Sequence, residues 1–258
     1  MLDSVCRSSY IRRHELNPGF GWHERSGIME SKVQIYLDLS NIVCGARKAA
    51  SAHAESPLDL RLDPKRLRDV LAAGRPVASA TLVMNSSVSE GMRRRFADHF
   101  SLIGVERGIV SGRDQAADEL LQNEMYKAPH QSDEPGIMVL ATGDGAGWGR
   151  GAGFTQPLIA ARFHGFGIEV AAFRSGLHPV LRRLATMPGN ALVELDDHYR
   201  SISFLEGGLR FPDPISLRHR SFATPHPLVD GELDWLTRGS ASGRTCQPRP
   251  HETSGGAA

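Results

Sequence analysis

The chain has 258 residues, 40% of them hydrophobic, which is enough for one large domain with a buried core. Thirty Lys and Arg side chains against 29 Asp and Glu leave a formal net charge of +1, so no globally basic or acidic partner is demanded and any basic footprint is local. The three cysteines, Cys6, Cys44 and Cys246, are too far apart for a disulfide framework or a Cys-x-x-Cys metal knuckle, and no run approaches the roughly 18 apolar residues of a membrane helix; a soluble cytoplasmic protein is expected.

Residues 1–31 show no sustained period and read as an N-terminal extension. Val33 to Leu37 (VQIYL) is a short apolar run ending at Asp38, the pattern of a strand buried on both faces. Pro64 to Ala73 has apolar residues at helical spacing, with Asp63 as N-cap, proline at the first helical position and Gly74 as the stop. The alternation then repeats. Strands are expected at 77–84, 101–110, 136–141 and 168–173, and helices at 89–100, 114–127, 154–164 and 177–185. Residues 192–205 are less regular and offer an edge strand through Ile202 and Phe204. The domain is expected over 32–209. From residue 210 onward the chain holds 6 of its 15 prolines and the run SGRTCQPRPHETSGGAA, so 210–258 reads as a Pro/Gly-rich tail, with about the last 20 residues disordered. Repeated β-α units predict an α/β fold, a mostly parallel central sheet with helices on both faces.

In such sheets ligands bind outside the carboxyl ends of the strands. Asp38, with Ser40 and Asn41, follows the first strand, and Thr142, Gly143 and Asp144 follow the strand GIMVLA. If those strands are neighbours, the two carboxylates converge. An aspartate at a strand end is also a common turn former or helix N-cap, so each alone is weak. On the helix from Asp114, residues Asp114, Asp118 and Gln122 share one face, with Glu119 beside it. Asp114 reads as an N-cap, whereas Asp118 lies a turn inside. Three carboxylates without a histidine or cysteine partner suit a hard ion, Mg2+ or Mn2+, completed by water and phosphate oxygens. Such an ion would activate water at a phosphodiester, which is nuclease chemistry.

The runs YLDLSN at 36–41, DQAADELLQNEM at 114–125, LATGDGAGW at 140–148 followed by Gly153 and Phe154, and GIEVAAF at 167–173 resemble, in order and spacing, the NYN domain of the PIN-like nuclease superfamily. The resemblance covers roughly residues 32–205, the span of the strand and helix pattern. It implies a Rossmannoid parallel sheet with a metal-dependent ribonuclease site at the strand ends. Asp38 and Asn41 match its first motif, Asp118 its helix acid, and Thr142 and Asp144 its last one. Many members that this chain resembles carry a further acid two residues after the equivalent of Asp144, where this chain has Ala146.

The remaining signals concern substrate. Glycine recurs at every second position through GDGAGWGRGAG, which contains Trp148 and Arg150, an aromatic face and a guanidinium suited to stacking a base and holding a phosphate. Arg47 and Lys48 are expected in a loop leaving the same edge as Asp38, where they would contact RNA. Arg93, Arg94 and Arg95 read as a solvated helix face, Asp196 and Asp197 as loop acids, and Cys44 as a small buried residue.

The expected function is therefore cleavage of RNA at a metal site held by Asp38, Asp118 and Asp144. Asn41 would fix the first loop, and Thr142, Ser40 and Glu119 would stand behind the ligands. The competing expectation is a non-catalytic RNA-binding or regulatory module, favoured by Ala146. An aspartyl-phosphate phosphotransferase ranks lowest, because Ser40 stands where its second acid would.

Overall fold

The structure is a computed structural model, and it describes residues 31–85, 89–105, 115–145, 153–217 and 220–226. Asp114, Ala146, Trp148, Arg150, the extension before Ser31 and the chain beyond His226 lie outside the described residues.

Six strands form one all-parallel sheet: β1 (Val33–Asp38), β3 (Val77–Asn85), β4 (Ser101–Val105), β5 (Ile137–Ala141), β6 (Gly167–Ala172) and β7 (Ala191–Glu194). Their order is β4-β3-β1-β5-β6-β7. The chain builds outward from β1 in one direction, then returns to β5 and builds outward in the other, so the order reverses between β1 and β5. That crevice is where an open α/β sheet accommodates ligands. The register pairs Tyr36 with Leu140 and Leu37 with Ala141, so the two strands end side by side.

Period-two alternation divides the strands between two cores. Val33, Ile35, Leu37, Ile137 and Val139 face α1 (Leu39–Ala52), α2 (Pro64–Ala72) and α3 (Glu90–Ala97). Tyr36, Met138, Leu140, Ile168 and Val170 face α4 (Gln115–Gln131), α5 (Thr155–Phe163) and α6 (Pro179–Ala185). With helices on both faces, the α/β class expected from the sequence holds. The N-cap reading also holds at α2, where the Asp63 carboxylate accepts from Arg66 N at 3.0 Å and Pro64 opens the helix. The described part of β4 stops at Val105, and α4 runs through Pro129 to Gln131, beyond the expected end at Lys127.

Three features depart from the expected string. Helix α1 follows β1 without a loop, a 14-residue helix where no element was expected. Its buried Leu39, Ile42, Ala46, Ala49 and Ala50 do carry a helical period, but past Ile42 only in alanines, with Arg47 and Lys48 between them. The sheet edge at this end is β7, whereas Ile202 ends a short helix, α7 (Tyr199–Ile202), and Phe204 belongs to β8 (Ser203–Leu205). That strand pairs antiparallel with β2 (Leu60–Leu62) in a separate two-stranded sheet. The domain also extends past residue 209, because the described segment to 226 packs back on it through buried Arg220 and Ala223.

That return segment is held by a buried charge cluster. Glu169 on β6 is fully buried, and its carboxylate accepts from Arg75 Nη1 and Nη2 at 2.7 and 2.8 Å, from Arg220 Nη2 at 2.7 Å and from Ala223 N at 3.0 Å. Both guanidinium groups also lie over the Phe222 ring. Burial pulls the Arg220 guanidinium below its ordinary range; Glu169 opposes this and the like charge of Arg75 adds to it. No described helix is long and apolar enough to cross a membrane.

Candidate functional site

The carboxyl ends of β1 and β5 meet at the reversal point. Asp38 ends β1 and also caps α1. Its Oδ1 accepts from the backbone N–H of Asn41 at 3.1 Å and from Ser40 Oγ at 2.7 Å, so the N-cap role and the site role fall on the same residue. Its Oδ2 accepts from Thr142 Oγ1 at 2.9 Å, across the gap to the β5 end. Thr142 is completely buried, and the same hydroxyl oxygen accepts from Asp144 N at 3.1 Å. Asn41 Oδ1 accepts from Gly143 N at 2.7 Å. Four expected site residues, Asp38, Ser40, Asn41 and Thr142, thus form one hydrogen-bonded unit, and it positions the backbone of a fifth, Asp144.

Glycine is required inside this unit. A Cβ on Gly143 would fall 2.4 Å from the Gly176 carbonyl oxygen, and one on Gly145 would fall 2.5 Å from the His178 ring. The turn after β6 therefore presses directly on the loop after β5, and His178 N donates to Gly143 O at 2.9 Å. His178 and Gly176 are site neighbours that the sequence reading missed; no motif marks them, because only the packing of α6 against this loop brings them there.

Asp118, the third expected ligand, lies on a separate element, the first turn of α4, and it does not close a three-carboxylate cage with Asp38 and Asp144. A helix crossing from β4 to the parallel β5 runs against the strands, so the first turn of α4 stands at their carboxyl edge. Asp118 is half-buried and shares a helix face with Leu121 and Met125, both fully buried and three and seven residues on. Glu119 is exposed, one step around the helix.

The other expectations resolve as follows. Arg47 and Lys48 are not in a loop; they are exposed on α1, because the helix begins at the residue after Asp38. Cys44 is exposed on the same helix rather than buried. Asp196 and Asp197 occupy a 3-10 turn and are engaged by Arg174, whose backbone N–H donates to Asp196 Oδ2 at 2.7 Å and whose Nη2 donates to Asp197 Oδ1 at 2.6 Å. Hydrogen bonds to Glu194 and Asp197 hold the Arg174 guanidinium above its already high ordinary value.

No protein-family model matches the chain, and no curated protein matches it significantly. The crystal structure of a protein of unknown function from Vibrio parahaemolyticus is similar to it, with 16% sequence identity over 66% of this chain and 96% of that one and a TM-score of 0.44.

What the site could hold follows from its donors. All are oxygens, which suits a hard cation. Asp38 is only 8% exposed and has no salt bridge among the described residues. With two donors on Oδ1 and one on Oδ2, a lone pair of Oδ2 is left for an ion or its water. Among the described residues no three Asp, Glu, His or Cys side chains are close enough to cage a metal. The donors therefore fit an ion held by one or two carboxylates, with water and phosphate oxygens supplying the rest of the shell, as Mg2+ commonly is.

The central hydroxyl provides a first test. Thr142→Val keeps the shape but leaves Asp38 Oδ2 and Asp144 N without this partner. It should lower unfolding free energy by about 1–3 kcal/mol, the cost of orphaned buried polar groups. Urea unfolding with an unchanged slope measures this, and a loss below about 0.5 kcal/mol would mean that the bond contributes little.

Proposed function

We propose that this protein is a metal-dependent ribonuclease of the NYN type, with Mg2+ or Mn2+ as cofactor and RNA in the cytoplasm as its partner. The observation that carries the reading is the buried Asp38 carboxylate. It is fixed on both oxygens at the β1–β5 reversal point and tied through Thr142 to the Asp144 backbone, with no salt bridge to offset its charge among the described residues. A buried carboxylate that has hydrogen bonds but no ion-pair partner among the described residues is a standing place for a cation.

In this reading Asp38 and Asp144 hold the ion, and Asp118 acts on it through water, since the three carboxylates do not form a cage. When bound, the ion supplies activation of water and offsets the charge that develops on a phosphodiester during in-line attack. The chain's own contribution is preorganisation. Ser40 and the Asn41 N–H keep Oδ1 of Asp38 occupied, so that Oδ2 is the atom left to face the substrate side. Thr142 orients that oxygen and holds the Asp144 N–H, and Asn41 clamps the Gly143 backbone, so the backbone that carries Asp144 is fixed beside Asp38. Donors already in place need no reorganisation as charge develops, which is the source of their effect on rate.

Metal should stabilise the fold if the reading is right. Binding to the native state alone adds about 2.7 kcal/mol at one hundred times the dissociation constant, enough to raise the melting midpoint by several degrees in a domain of this size. Thermal melts of the full chain with a chelator and with millimolar Mn2+, run beside cleavage of mixed single-stranded RNA, test it. An unchanged midpoint together with intact RNA would end the proposal.

A further inference from the structure

Two cavities lie side by side along the outward face of α1. The first, of about 290 Å³, is lined by Ser40, Cys44, Arg47 and Lys48. The second, of about 330 Å³, lies between α1, β2 and α3; Val43, Met92 and Phe96 line its apolar part, and Arg47, Arg61 and Arg95 its charged part. Val43 and Arg47 line both, so the two form one groove. Its near end is Ser40, whose hydroxyl donates to Asp38. Its far end is α3, whose first turn stands at the same carboxyl edge of the sheet.

The charge along this groove is one-sided. Arg61 is engaged by Glu206, the one carboxylate that lines it. Arg47, Lys48 and Arg95 are exposed and make no salt bridge among the described residues. The neighbouring Arg94, by contrast, pairs with Glu90 at 3.2 Å and does not line the groove. At 1.5 Å rise per residue, Arg47 lies about 14 Å along α1 from Asp38, so a polyanion leaving the site meets positive charge a short way along the helix.

We infer that this groove is the track for a single-stranded RNA substrate, with backbone phosphates on Arg47, Lys48 and Arg95 and one unstacked base in the cavity over Val43 and Met92. The inference rests on the ribonuclease reading and adds to it the strandedness of the substrate and the side on which it runs. A row of unpaired cations suits a phosphate backbone, and an apolar recess suits a base turned out of a stack; a duplex keeps its bases stacked inside and offers none.

Anisotropy with fluorescent oligouridylate of about 12 nucleotides, within the site sizes of about 4–16 nucleotides common for single-strand binders, tests it on the full chain with a chelator present. Each phosphate contact to a single strand contributes about 0.7 to the slope of log affinity against log salt. The double variant R47A/R95A should therefore lower the slope by about 1.4 and weaken binding tenfold or more at moderate salt. R47K/R95K should keep the slope, and R94A, which removes one charge from the helix of Arg95 but away from the groove, should change neither quantity. A loss in R94A of half that in R47A/R95A or more would mean a diffuse field that follows charge alone, and would overturn the track. So would unchanged binding in R47A/R95A beside a parent that cleaves RNA with Mn2+, and that result would leave the ribonuclease reading standing. Equal displacement of the oligonucleotide by polyglutamate and by unlabelled RNA would overturn RNA as the occupant. A parent that neither binds nor cleaves RNA overturns both proposals.

Discussion

Asp144→Asn should abolish manganese-dependent RNA cleavage, lowering turnover by several orders of magnitude, while RNA affinity measured with a chelator stays equal or rises. The substitution keeps size and polarity. It also leaves the Asp144 backbone N–H on Thr142 Oγ1 and the Asn41–Gly143 clamp, because both bonds are made by other atoms. The substitution removes the negative charge of the side chain. If that charge helps to position an ion, its loss acts on the transition state, where developing negative charge is greatest, and the effect on rate is large. Binding responds with the opposite sign, since one less negative charge faces the phosphates and affinity for a polyanion is set by net local charge and salt. Parent and variant are compared for cleavage with Mn2+ and for affinity with chelator. A non-catalytic RNA-binding module, the reading that Ala146 favours, predicts the same change in affinity with no cleavage to lose. If a purified parent leaves varied RNA substrates intact while both proteins bind them, the module reading replaces the ribonuclease.

The largest effect on stability is expected at a residue far from any motif. Glu169→Ala should destabilise the fold by about 3–5 kcal/mol, the usual result of removing one partner of a buried ion pair. The carboxylate is the acceptor for two guanidinium groups and one backbone N–H, and with it gone Arg220 keeps a charge in a fully buried place with no anion beside it. The Nε and Nη1 atoms of Arg220 already lack hydrogen-bond partners, so without Glu169 the group keeps only the Leu71 carbonyl and the Phe222 ring, neither of which carries a negative charge. Residues 220–223 should loosen first and become sensitive to protease, because Glu169 holds Arg220 and the Ala223 N–H, whereas Thr224 N on Gly189 O and His226 on Arg162 anchor the end of the segment independently. Replacing all three charges by apolar side chains of similar volume should recover most of the loss, since desolvation of the cluster offsets most of its attraction. Urea unfolding of the parent, single and triple variants measures both steps. A single-variant loss under about 1 kcal/mol would show that water reaches the cluster and that the cluster does not pin this segment.

What was legible in the sequence was local. The short apolar runs at Val33–Leu37, 136–141 and 168–173 are strands because each must be buried on both faces, and Asp63 with Pro64 opens α2 through a cap and a fixed φ that lie within a few residues of each other. The α/β class follows from the alternation of such units, and the sequence places Asp38, Asn41, Thr142 and Asp144 just past strand ends, where open parallel sheets bind ligands. Tertiary structure decided the rest. That Asp38 and Thr142, 104 residues apart, share a hydrogen bond depends on β5 pairing with β1, which no local period specifies. Arg47 and Lys48 were placed in a loop because the small alanines and glycine of α1 carry a weak apolar signal, and the helix is held by Ile42 and Ala46 packing on the sheet. Glu169 reads as an unlikely core residue until Arg220, 51 positions later, folds back onto it. Contacts at that separation are set by the packing of the whole sheet, and pairing of this kind leaves no trace in the periodicity of either segment.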